Sequence, residues 1–299
     1  MKFMRNTFIY TVISFCLLLI MGPSSYADGG GGGGFPSQSA PSFDPVEEYQ
    51  EGLRHLQAER YKKAQRSFKR VLSVAKKDAN AHYYLGIAYY ASDKAKKARK
   101  PFEKAIKYNE NNILAIGYLA SVYLKTDKIE KFEEQKNKLI ALKEACDSCA
   151  QSDNIDQALQ LIADAEQGIE NSVSINIKTS NSGDSAYISA VELINTGNYQ
   201  AALASLEKSA YSFGPHPDIL TYQGFANRKL GNRDLALSYY QQALSVDNEH
   251  RGANEYLGEY FVEIGDLKSA NLQLAKLESI CDFGCEEAEE LRRWIKSSK

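Results

Sequence analysis

Hydrophobic and polar residues alternate along this chain with a helical period, and the pattern itself recurs. Gly52, Gly86 and Ala120 stand 34 residues apart, as do Ala64 and Ala98, and Phe68 and Phe102. The register returns later in Ala190, Gly224 and Gly258, in Ala202, Ala236 and Ala270, and in Leu206, Tyr240 and Leu274. Each unit reads as two amphipathic helices joined by a short turn. In the last unit Tyr256-Leu257-Gly258-Glu259-Tyr260-Phe261 lies on the first helix and Gly265-Asp266 marks the turn. Leu267, Ala270, Leu274 and Leu277 follow at spacings of 3, 4 and 3, one face of a second helix. Small residues at the eighth and twentieth positions let the two helices approach closely. Such a pair cannot bury its apolar face alone and must stack on neighbours, so the pattern predicts an all-α solenoid. Six units are predicted, beginning near residues 45, 79, 113, 183, 217 and 251.

The period, the Leu85-Gly86, Tyr89, Ala98, Phe102 and Ala105 pattern, and its recurrence at Gly224, Gly231-Asn232, Ala236, Tyr240 and Ala243 resemble the tetratricopeptide repeat family. There are departures. The family's proline near the end of each second helix is replaced by Lys76, Glu110 and Asn248. The third unit has bulky Phe132 where a small residue belongs, and the fourth has Ser189 where leucine is usual, so these two units should be the least regular.

Residues 168–183 break the helical period with polar, β-branched and turn-forming residues and read as a linker. Three units stand on each side. Each triplet ends in a cysteine pair, Cys146 with Cys149 and Cys281 with Cys285, followed by one further helix. The predicted organisation is a first array over 45–167 and a second over 184–299. At the other end, Lys2 and Arg5, the apolar run Phe8 to Met21 and Ser25-Tyr26-Ala27 read as an export signal over 1–27, cut near Ala27. An uncleaved anchor is the alternative, although the run is shorter than the roughly 20 residues of a membrane span. Residues 28–44, with six consecutive glycines, read as a flexible tether. The expected location is therefore the periplasm or the exterior.

Composition changes this picture little. An apolar fraction of 43%, a charged fraction of 25% and a net charge of −2 suit a folded protein with no overall attraction for nucleic acid. Local charge is more telling. Lys62, Lys63, Arg66, Lys69, Arg70, Lys76 and Lys77, with Lys94, Lys96, Lys97, Arg99, Lys100 and Lys104, crowd the second helices of the first two units. This is either a solvated surface or a docking face for an anionic surface, such as lipid headgroups, envelope polysaccharide or an acidic partner.

In an oxidising compartment the two close cysteine pairs are expected to form two local disulfides. Each closes so small a loop that about 2 kcal/mol or less is expected from it. Their task would be to fix the chain's exit from the last helix. A redox-active pair would need a thioredoxin-like fold, and a four-cysteine zinc site would need the two pairs to meet; both stay open as a thiol-redox or metal-handling alternative. Covalent haem fails, because Ala150 and Glu286 stand where histidine is required. Four scattered histidines and the absence of a phosphate-cradling loop give no sign of catalysis, cofactor, metal or small-molecule substrate.

The resemblance implies a protein or peptide partner held in the concave surface lined by the first helices. In the first array the family's groove positions fall on Tyr49, Leu53 and Leu56, then Asn80, Tyr83, Ile87 and Tyr90, then Leu114, Ser121, Leu124 and Lys125. In the second they fall on Tyr187, Val191 and Asn195, then Asp218, Thr221, Phe225, Arg228 and Lys229, then Glu255, Glu259 and Glu263. Neither set contains the Lys/Asn/Arg clamp with which chaperone-binding members hold a C-terminal carboxylate. The first groove reads as aromatic and aliphatic, the second as mixed and ending acidic.

Overall fold

The computed structural model describes residues 42–146, 149, 151–168 and 180–298. The proposed export signal and most of the tether lie outside the described residues, as do 169–179 of the linker. Among the described residues there are fourteen α-helices and no strand.

The helices fall in pairs at the predicted register. The first array contains α1 (Pro45–Gln57) with α2 (Tyr61–Val74), α3 (Ala79–Tyr90) with α4 (Ala95–Tyr108), and α5 (Ile113–Lys125) with α6 (Ile129–Glu144), closed by α7 (Ser152–Glu166). The second contains α8 (Ser180–Asn195) with α9 (Tyr199–Phe213), α10 (Pro217–Lys229) with α11 (Arg233–Val246), and α12 (Arg251–Glu263) with α13 (Leu267–Ile280), closed by α14 (Glu286–Ser297). The α8 helix begins at Ser180, inside the stretch expected to be linker. Its extra turn packs because Gly183 lies directly against Ser212 and Phe213 at the end of α9.

Local chemistry explains where the inner helices start. Asp44, Asp78, Asn112, His216 and His250 each stand at an N-cap and accept from a backbone N–H of the first turn, so α1, α3, α5, α10 and α12 are all side-chain capped. Close packing explains the small residue at the eighth position. A Cβ on Gly86 would lie 2.5 Å from the Phe102 ring, so only glycine lets α3 and α4 meet at that distance. The irregular third unit buries Phe132, and α5 leans on the capping helix, with Gly117 against Ala158 of α7.

Residues 38–299 form one compact unit, so the two arrays are not separate bodies. The first array meets α9 of the second. Tyr49 donates to the Tyr211 carbonyl at 3.2 Å, Gln50 donates to the Ser212 carbonyl, and Asn109 donates to Glu207 at 2.7 Å. Gly214, at φ +71°, lies flat on the Tyr49 ring, where any side chain would collide. Tyr211 also stands edge-on to Tyr83 and Tyr84, each at 6.5 Å. The core of the first array therefore runs into the second through Leu220, Ala243 and Val246.

Candidate partner-binding groove

The positions assigned to the first groove divide. Tyr49 is fully buried, and Leu53, Asn80, Tyr83 and Ile87 are also buried. Tyr49 packs edge-on to Phe68 and Tyr84, and Tyr83 lies among Tyr84, Phe102, Tyr118 and Tyr211. These residues are core and seam, not a surface open to a partner. The physical reason is that Tyr211 of α9 packs across Tyr49 and Tyr83, while Leu53 and Ile87 belong to the core beneath them. Asn80 lines a cavity of about 400 Å³ at that seam, together with Lys77, Lys107 and Tyr239. Asp78 borders the same cavity, and burial raises its carboxyl to about 6 despite donors from Ala81 and Asn80. Only the far end of this groove stays accessible: Tyr90 is half-buried, with the exposed Lys125 ammonium 4.9 Å from its ring centre.

The second array presents the more open surface. Tyr187 and Phe225 are half-buried, Lys229 is exposed, and Glu255 is half-buried. They are joined by two residues that the groove positions did not include. Tyr222 lies 6.0 Å from Tyr187, and Tyr256 lies 5.1 Å from Phe225, so a line of rings crosses α8, α10 and α12. Both follow a groove position by one residue, where the sequence gives no sign that a ring reaches round the helix.

Arg228 and Glu259 are a correction. Both were assigned to the groove surface, and both are buried. Arg228 donates to Glu259, approaches Glu263 at 3.7 Å and lies within 6 Å of three ring centres, Phe225, Tyr256 and Trp294. The covering ring, Trp294, comes from the capping helix α14, which the unit pattern does not contain. Burial works against the Arg228 guanidinium, but the neighbouring Tyr240, Glu259 and Glu263 outweigh it and hold its pKa above the ordinary value. Glu259 is raised above the usual carboxylate range, by burial first, with Arg228 opposing. This cation and its counter-ion pair inside the fold, while the buried Arg228 Nε finds no hydrogen-bond partner among the described residues.

Glu255 has no such partner among the described residues. Burial, then the charges of Glu259, Glu287, Glu290 and Glu286, push its carboxyl up to about 8. At the mouth of the groove, His250 Nε2 lies 2.8 Å from Asp218, while its Nδ1 accepts from Ala253 N at 3.1 Å. Among the described residues no group of three or more His, Cys, Asp or Glu side chains is placed to hold a metal ion.

The cysteine pairs lie at the array ends. The Cα atoms of Cys146 and Cys149 are 5.3 Å apart, and those of Cys281 and Cys285 are 5.8 Å apart, both at disulfide distance. Cys281 is the C-cap of α13 and Cys285 the N-cap of α14, so this pair ties one helix end to the next helix start. The intervening Phe283 is fully exposed.

Stacked helix pairs with this register define the class. A family model described as tetratricopeptide repeat matches residues 49–112 and 223–277. The chain thus contains tetratricopeptide repeats over those residues, a repeat whose fold is that of a protein–protein interaction scaffold. It is similar to the TPR2AB domain of yeast Sti1, solved as a pHSP90 complex, with 14% identity and a TM-score of 0.38, covering 85% of this chain and 98% of that one. It is similar to a thermophilic tetratricopeptide protein of Thermus thermophilus, with 20% identity and a TM-score of 0.30, covering 74% and 98%. Pseudomonas aeruginosa pilF is similar at 15% identity and a TM-score of 0.32, covering 84% and 97%. No curated protein matches the chain in sequence.

Proposed function

We propose that this protein is a non-catalytic adaptor of the cell envelope that holds a segment of a partner protein in the groove of its second array. The observation that carries this reading is the half-exposed line of Tyr187, Tyr222, Phe225 and Tyr256 beside Lys229 and Glu255. Aromatic anchors flanked by charge suit a peptide segment whose apolar side chains are desolvated and whose polar groups stay at the rim. The export signal read in the sequence supports an envelope location. The basic outer face of the first two units is the second contact surface, toward an anionic surface of the envelope. Cysteine pairs at the array ends, away from the groove, favour a structural role over thiol chemistry.

A photo-crosslinking side chain placed at Lys229 in cells tests the reading. A discrete adduct that disappears when Phe225 and Tyr256 are replaced by alanine is the expected result. An adduct unaffected by those replacements, or reactive free thiols in protein taken from its native compartment, would overturn it.

A further inference from the structure

The chain contains its own control for its most unusual surface. Residues 60–107 hold fifteen Lys and Arg against three Asp and Glu. The basic positions repeat in register: Lys62 with Lys96, Lys63 with Lys97, Arg66 with Lys100, each 34 residues apart, so they form a stripe along the outer helices α2 and α4. All six are exposed and form no ion pair among the described residues. The equivalent positions of the other units hold Glu130, Lys131 and Glu134, then Gln200, Ala201 and Ala204, then Asp234, Leu235 and Ser238, then Lys268, Ser269 and Leu272. The fold therefore does not require these cations.

Their placement also runs against helix energetics. The first turns of α2 and α4 contain no acidic residue and carry two lysines each, at the end where the helix dipole disfavours positive charge. A local rule broken twice at the same place marks a surface kept for contact rather than for stability.

We infer that this stripe docks the protein on an anionic lipid bilayer. A protein partner fits poorly, because protein interfaces need an apolar centre and are depleted in lysine, whereas this face has no exposed aromatic or aliphatic anchor between its charges. Lysine predominates over arginine, which suits diffuse attraction to phosphate groups rather than bidentate recognition of one carboxylate. A bilayer presents mobile anionic headgroups that gather beneath such a face, so no fixed geometric match is needed. The inference rests on the reading of the chain as an exported envelope protein, but it uses different residues from the groove.

Co-sedimentation of the chain from residue 28, which keeps the whole compact unit, with vesicles of phosphatidylcholine alone or with phosphatidylglycerol tests it. Binding to the phosphatidylglycerol vesicles only, lost in roughly 0.5 M salt, is expected. Replacing Lys62, Lys63, Lys96, Lys97 and Lys100 by glutamate should weaken binding at least tenfold with unchanged helical circular dichroism. The control Lys268→Glu with Lys276→Glu, which removes lysines from the second array, should bind as the parent does. Failure to sediment at low salt, equal loss in the control, or retention on an acidic protein or polysaccharide matrix without vesicle binding would each overturn it. The Phe225→Ala variant should keep vesicle binding, so failure of the groove reading is seen separately.

Discussion

The two arrays are built on one register and use their aromatic residues differently. In the first, Tyr49, Tyr83 and Tyr84 turn into a shared core and meet Tyr211 of the second array, while the outer helices carry the exposed basic stripe. In the second, Tyr187, Tyr222, Phe225 and Tyr256 stay half-exposed on the inner helices, and the outer helices lack the basic stripe. Equivalent repeat positions therefore do not imply equivalent roles. What an inner helix presents depends on what is stacked across its end.

The sharpest way to break this comparison is to remove one ring from each array. Tyr49→Ala should cost about 3–5 kcal/mol in urea denaturation, because it empties a fully buried site at the seam. Phe225→Ala, at a half-exposed site, should cost well under half of that; equal losses would mean that the second groove is as closed as the first. Next in size is the buried cation of the second array. Arg228→Ala should cost about 3 kcal/mol, at the low end for a broken buried pair, because Glu259 is already biased toward its neutral form and can take up a proton. Pairing Arg228→Met with Glu259→Leu should recover most of that loss.

The smallest effect is a pH dependence confined to the second groove. Glu255 has an ordinary value of 4.5 and is raised to about 8 in the fold, so the folded state holds a proton that the unfolded state releases. Its contribution to stability is fully present below about pH 4.5 and declines as pH rises toward about 8. Glu255→Gln should flatten the stability profile across that window while leaving the contribution of Asp78, raised from 3.8 to about 6 at the seam, unchanged. A profile unaltered by Glu255→Gln would show that the groove carboxylates are not crowded.

Much of the fold was legible in the residues because a repeat states its pattern several times. The unit starts and the glycine and alanine contact positions follow from a 34-residue spacing with a 3.6-residue period inside it. That information is local: each unit's apolar stripe must face its own partner helix and the next unit. The candidate site was legible only in part. Phe225, Lys229 and Glu255 stay half-buried or exposed on α10 and α12, whereas Arg228 and Glu259 pair beneath Trp294 and Tyr49 and Tyr83 of the first array are buried. These outcomes depend on contacts between residues more than a hundred positions apart, or on a capping helix outside the repeat. The sequence by itself determined the helices, their pairing and the charge on each outer face. Only the tertiary structure decided which groove stays open, because burial is a property of what packs across a surface and no single repeat encodes its distant neighbour.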